Sequence, residues 1–137
     1  FMDKNTRKFS HLHKQLAVIL TSWGLTSIVM GSTLFFFQVE FIRSMSYQFL
    51  IWGLINFCLG IFPLIRNSSP SRIRLYKILL VNSFLDILYI LVSLVLIFEI
   101  IFEGESSIGH GFGVFIQGLF LLIFDTYYGL KFKNLAD

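Results

Sequence analysis

The sequence predicts an all-α membrane protein: four transmembrane helices in an antiparallel up-down-up-down bundle, with both termini in the cytoplasm. Three observations lead there. The chain of 137 residues is 55% apolar and 14% charged, and its mean hydropathy is +0.76; a water-soluble domain of this size carries more charge and less oil. Its charged residues sit in short clusters between four apolar runs, each close to the ~20 residues a helix needs to cross ~30 Å of hydrocarbon. Ten of its eleven Lys and Arg residues fall on one side of those runs.

Residues 1–15 form a basic N-terminal segment, with Met2 the expected native start and Phe1 an added residue. Phe9 and Leu12 are expected to dip into the headgroup layer while Lys4, Arg7, Lys8 and Lys14 meet anionic headgroups. The transmembrane domain, residues 16–130, then begins with a span at 16–37. That run is too long for the apolar part of a signal peptide, and no small-residue cleavage pattern follows it. The remaining spans are 48–65, 76–98 and 108–130, and residues 131–137 form a tail. Each run is continuous in apolar character, so helices satisfy its backbone in lipid, and the absence of alternation argues against a β-barrel. The connections at 38–47, 66–75 and 99–107 are short, which predicts that sequential helices are antiparallel neighbours. Residues 66–75, Arg-Asn-Ser-Ser-Pro-Ser-Arg-Ile-Arg-Leu, read as a turn-forming and basic loop.

Basic residues fix the orientation. Lys4, Arg7, Lys8 and Lys14 precede the first span, Arg66, Arg72, Arg74 and Lys77 flank the second connection, and Lys131 and Lys133 follow the last span. Arg43 stands alone on the other side. This bias, and a first span without a carboxylate, set the chain apart from the small multidrug-resistance transporters, which pair a weak bias with a Glu in the first helix. Spans one and two do not echo three and four in their polar positions, so an inverted repeat is not expected. The basic residues lie beside apolar runs, where they serve topology and headgroups, and nucleic acid is not an expected partner. The lone cysteine, Cys58, forms neither an intrachain disulfide nor a C-x-x-C pair. No mid-membrane histidine pair is available for haem, and no cofactor is expected.

Polar residues inside the spans carry the most information. Asp86 lies nine residues after Lys77, about 13 Å into the membrane at the helical rise, and Asp125 about 9 Å in from Lys131. A carboxylate at the centre of a spanning helix costs roughly 2.5–3.5 kcal/mol to insert and calls for a polar partner or a wet cavity. Asn82, Asp86, Tyr89 and Ser93 follow one another at helical spacing on one face, as do Gly53, Asn56, Gly60 and Pro63. Gly111, Gly118 and Asp125 recur every seven residues, with Gln117 about 100° round from Gly118. Asn56, ten residues before Arg66, sits near the level of Asp86. Asp86, Asn56, Asn82, Gln117, Asp125 and Tyr89 therefore form a candidate polar core.

Two readings of that core compete. Interhelical hydrogen bonds of about 0.6 kcal/mol each, with glycines for close approach, make the amides membrane glue. Two carboxylates point instead to a proton- or cation-responsive site or a pocket for a polar molecule, since ionisable groups in membranes mark ligand and ion pathways. Both readings stand open for Asp86. For Asp125, beside Tyr127 and Tyr128 and nearer the interface, the structural one is expected.

His110, with Glu99 and Glu103 in the preceding acidic connection, is a weak candidate for a metal site. The two glutamates share a face if the third helix continues that far, yet the spacing matches no metal motif. The 17 phenylalanines read as packing and lipid-facing bulk.

Asn82-x-x-x-Asp86-x-x-Tyr89, Gly111-x-Gly113, Gln117-Gly118 and Phe124-Asp125, with Trp52 and Asn56, resemble a family of small four-span bacterial membrane proteins of unknown function. The resemblance runs from about residue 16 to 130. It implies a bacterial inner-membrane protein and brings no activity or ligand with it. The expected function is small-molecule or ion binding or transport around Asp86; the alternative is a non-catalytic accessory or assembly subunit of a membrane complex. No nucleophile and base occur at a readable spacing, so an enzyme is the weaker expectation. The expected partners are the bilayer, anionic headgroups at the basic face, and a second copy or another membrane protein.

Overall fold

A computed structural model describes residues 4–66 and 71–135, apart from the side chain of Asn5; of the loop expected at 66–75, residues 67–70 lie outside the described residues, while Arg66 ends one helix and residues 72–75 begin the next. Four helices and no strand are found among them: α1 (Lys4–Phe35), α2 (Glu40–Arg66), α3 (Arg72–Ile97) and α4 (Glu105–Lys133). All four are long and apolar enough to cross a membrane. Their outward faces carry large apolar side chains at mid-length, such as Leu54, Phe84 and Ile123, each more than half exposed.

The helices begin and end for local reasons. Ser71 caps α3 by accepting the amide of Arg74 at 3.3 Å, satisfying one of the donors a helix start leaves free. At the other end Glu99 adopts φ +55°, and the amides of Glu99 and Ile100 turn back to Leu96 O and Val95 O. This is a Schellman ending with a glutamate where glycine is usual. It stops α3 at Ile97, so the condition under which Glu99 and Glu103 would share a helical face is not met. Glu99 Oε1 instead accepts the amide of Gly104 at 2.8 Å.

Glycines set the packing. Against α1, a Cβ at Gly53 would lie 2.9 Å from Gly24 O, and one at Gly24 would meet Phe57 N and, at 2.7 Å, Gly53 O. Gly31 sits on Ser46 and Leu50, and Gly60 on Ala17 and Thr21, so α1 and α2 run antiparallel. Gly109 of α4 lies on Phe41 and Ser44, and Gly113 on Met45 and Gln48, so α4 runs parallel to α2. Gly111 packs on Ser93 and Ile97, Gly118 on Asp86 and Ile90, and Gly129 on Leu79, placing α3 antiparallel to α4. The direction thus alternates along the chain as expected.

Neighbourhood does not follow sequence order throughout. The close pairs are α1–α2, α2–α4 and α3–α4. α2 and α3, consecutive in sequence and expected as neighbours, are held apart because the glycine-bearing half of α4 fits α2 more closely. A gap between α2 and α3 results, bridged by Trp52 and Tyr89 in edge contact at 4.8 Å.

The apolar core lies at the end of the bundle that carries the chain termini: Leu16, Leu20, Leu75, Leu79, Leu121, Phe124, Tyr128 and Phe132. The basic N-terminal segment is not a separate element. It forms the first turns of α1, and Phe9 and Leu12, expected to dip into lipid, pack on this core, Phe9 edge-on to Phe132 at 5.5 Å. Arg72 closes the same end by donating to the carbonyls of Phe132 (2.9 Å) and Lys133 (3.3 Å) at the end of α4, groups a helix terminus otherwise leaves unpaired. At the opposite end small polar side chains replace the oily core: Ser44 Oγ donates to Ser106 Oγ (3.1 Å) and Ser107 Oγ to Leu96 O (2.8 Å).

The glycine contacts make a direct prediction. Gly24→Ala places a methyl group against α2 backbone, which cannot rotate away, and is expected to cost about 1–3 kcal/mol, the usual cost of overpacking. Gly129→Ala meets nothing nearer than Leu79 Cβ at 3.6 Å and is expected to be neutral or slightly stabilising, since alanine is the better helix former. Thermal unfolding of the two variants in detergent checks this, and equal effects would contradict the close α1–α2 contact.

Candidate functional site

The gap between α2 and α3 holds a cleft of about 170 Å³. At roughly 30 Å³ per molecule, that is room for about five or six waters. Five of the six polar residues singled out in the sequence line it: Asn56 from α2, Asn82, Asp86 and Tyr89 from α3, and Asp125 from α4. Trp52 and Tyr89 form one aromatic wall. Leucine and isoleucine side chains, among them Leu20 of α1 and Leu121 of α4, complete the lining, and no Lys, Arg or His is among the described residues that do so.

Burial ranks the polar groups. Asn56 and Asp86 are each 2% exposed and Asp125 is 6% exposed, while Asn82 and Tyr89 are half-buried. The carboxyl groups of Asp86 and Asp125 are hydrogen-bond partners across the α3–α4 contact. Such a contact needs a proton on one of the two groups, because an ionised carboxylate only accepts. Gly118, one heptad before Asp125, packs near Asp86 O at 3.7 Å and keeps the two helices close enough for the pair to meet.

Two atoms of this cleft stand out. Asn56 Nδ2 and Asp86 Oδ2 are buried and lack a hydrogen-bond partner; they are the two such side-chain atoms among the described residues. A buried polar group left unpaired costs about 1–3 kcal/mol, and a packing role alone gives no reason to leave one on each of two residues that line the same small cleft.

Gln117, the sixth residue, lies elsewhere. Fully buried, it faces α1, where its Nε2 donates to Ser27 Oγ at 3.0 Å and its Oε1 accepts from Trp23 Nε1 at 2.9 Å. Trp23 in turn stacks on Phe120 at 3.8 Å. Gln117 is therefore a tie between α1 and α4, with both ends of its amide in use. Its offset from the Gly111–Gly118–Asp125 stripe is the signal that separates it from the cleft. Trp52 and Leu121 were not singled out as lining because single apolar or aromatic residues in a spanning run carry no mark of the gap beside them.

The weak metal candidates do not converge. His110 Nδ1 bonds Gln48 Nε2 at 2.9 Å and its ring stacks on Tyr47, while Glu99 is bound to Gly104. Among the described residues no three His, Cys, Asp or Glu side chains come together to hold a metal ion. A larger groove of about 600 Å³, rimmed by Lys8, His11 and Lys131, lies between the start of α1 and the end of α4. None of its lining residues is buried and it contains no orphaned polar atom, so the α2–α3 cleft is the better candidate site.

No curated protein and no solved structure matches the chain. A family model does match, over residues 19–126, a stretch that contains every residue of the cleft. The chain belongs to that family, DUF6992, described as a family of unknown function.

Proposed function

We propose that this chain is an integral protein of a bacterial inner membrane that binds a small polar molecule or ion, or the polar end of a larger molecule, in the cleft beside Asp86. Residues 16–130 act as one transmembrane domain, and both termini lie in the cytoplasm. The single observation that carries the ligand reading is the pair of orphaned buried atoms, Asn56 Nδ2 and Asp86 Oδ2, on two residues that line one cleft. Its chemistry is proton-linked: a ligand that takes hydrogen bonds from or gives them to Asp86 disturbs the proton held between Asp86 and Asp125. Transport across the membrane by a four-helix chain calls for a second copy, since one bundle this small encloses no separate pathway. The orientation rests on the ten-to-one distribution of Lys and Arg.

Thermal unfolding in detergent with methylammonium, acetamide and ethanol tests the ligand reading. At least one probe is expected to stabilise the wild-type chain, by about 2.7 kcal/mol at a hundredfold excess over its Kd. Asn56→Leu and Asp86→Leu, which replace the open polar atoms with methyl groups, are expected to abolish that stabilisation. Asp86→Asn keeps a hydrogen-bonding group and is expected to retain the fold while losing the pH dependence of the response. Equal stabilisation of wild type and Asn56→Leu by every probe, or of neither, would overturn the reading.

Orientation has its own check, in a Cys58→Ser background expressed in bacteria. A membrane-impermeant maleimide is expected to label Glu103→Cys in intact cells and Asn134→Cys only once the membrane is opened. The reverse pattern would invert the topology.

A further inference from the structure

The mouth of the cleft says which route a ligand takes. Its inner wall is formed by Leu20, Asn56, Asp86, Leu121 and Asp125, all buried, whereas Ile55 (43% exposed), Leu59 (59%) and Leu85 (40%) stand at its rim. The opening therefore lies on the outside of the bundle, between α2 and α3, where these helices do not pack closely. It also lies far from either end of the helices. Leu59 is seven residues from Arg66 and nineteen from Glu40, and Leu85 is thirteen from Arg72 and twelve from Ile97, so each is at least about 10 Å from the ends of its helix at the helical rise. In a bilayer that rim faces hydrocarbon.

The chemistry inside the rim narrows the polar end of the ligand. Asn56 Nδ2 offers a donor and Asp86 Oδ2 an oxygen, both unmatched. A hydroxyl group is the smallest group that serves both, accepting from the amide while donating to the carboxyl oxygen. An anionic head finds no Lys, Arg or His among the described lining residues, and a buried charge without a partner is costly. A quaternary ammonium has no N–H to give and no lone pair to accept with.

We propose that the cleft is loaded sideways, from within the bilayer, by a long-chain molecule ending in a hydroxyl group, which bridges Asn56 Nδ2 and Asp86 Oδ2 while its chain leaves between Leu59 and Leu85. The proposal rests on the membrane and polar-ligand readings above and adds to them a route and a head group.

Trp52, in the cleft wall, reports on both additions. The full chain is reconstituted in phosphatidylcholine vesicles whose acyl chains are brominated at mid-depth, and the fluorescence of Trp52→Phe is subtracted from that of wild type to isolate Trp52. Brominated lipid is expected to quench this component, and aqueous iodide is not. Dodecanol is expected to relieve the quenching, dodecane to leave it unchanged, and Asn56→Leu to lose the relief. Quenching by iodide in place of brominated lipid would overturn the sideways route while leaving the small-probe stabilisation intact, so the two readings fail separately. Equal relief by dodecane, or relief by dodecylammonium and none by dodecanol, would overturn the hydroxyl assignment.

Discussion

Gly109 and Gly113 bring α4 so close to α2 that a methyl group at either position would strike the backbone or a Cβ of α2. The rest of the architecture depends on that approach. With α4 seated on α2, and α3 seated on α4 through Gly111 and Gly118, α2 and α3 are left apart although the chain joins them directly. In the absence of a strong hydrophobic drive between helices in lipid, small residues that permit backbone contact decide which pairs form. The gap this leaves is then lined by whatever α2 and α3 present to it, and they present Asn56, Asn82, Asp86 and Tyr89.

Two buried amides in this bundle differ in how far the fold satisfies them. Gln117 has a partner at each end of its side chain, Ser27 and Trp23, and ties α1 to α4. Asn56, a residue of the cleft lining, is buried to a similar degree, but its Nδ2 has no hydrogen-bond partner. Sequence position made the two look alike. The distinction lies in satisfaction: Gln117 finds its partners within the fold, Asn56 Nδ2 does not, and the proposed ligand role rests on that difference. Asp86 Oδ2, on the carboxyl group paired with Asp125, is the second unpartnered buried atom.

Much of the fold was legible in the sequence because apolar run length and charge placement are local properties. Four runs correspond to four helices of spanning length, and the spacing of Asn82, Asp86 and Tyr89 alone puts them on one helical face. What was not legible depends on contacts between distant residues. The neighbour order α1–α2–α4–α3 follows from which glycines meet which backbone, and a run of hydropathy does not encode it. Phe9 and Leu12 look like a headgroup-binding edge until Phe132 is brought against Phe9 from the far end of the chain. The end of α3 turned on Glu99 taking a positive φ, a conformation its residue type gives no warning of. Gln117 carried a usable clue in its angular offset from Asp125, too weak to decide its partners without knowing where α1 lies.

The proton between Asp86 and Asp125 is the centre of this account, and infrared absorption of carboxyl groups measures it most directly. The wild-type chain in lipid at neutral pH is predicted to show a protonated-carboxyl band that disappears in the Asp86→Asn/Asp125→Asn double variant and changes its pH profile in each single variant. A wild-type spectrum indistinguishable from that of the double variant would mean that both carboxyls are ionised and apart, and would contradict the shared proton on which the cleft's chemistry is built.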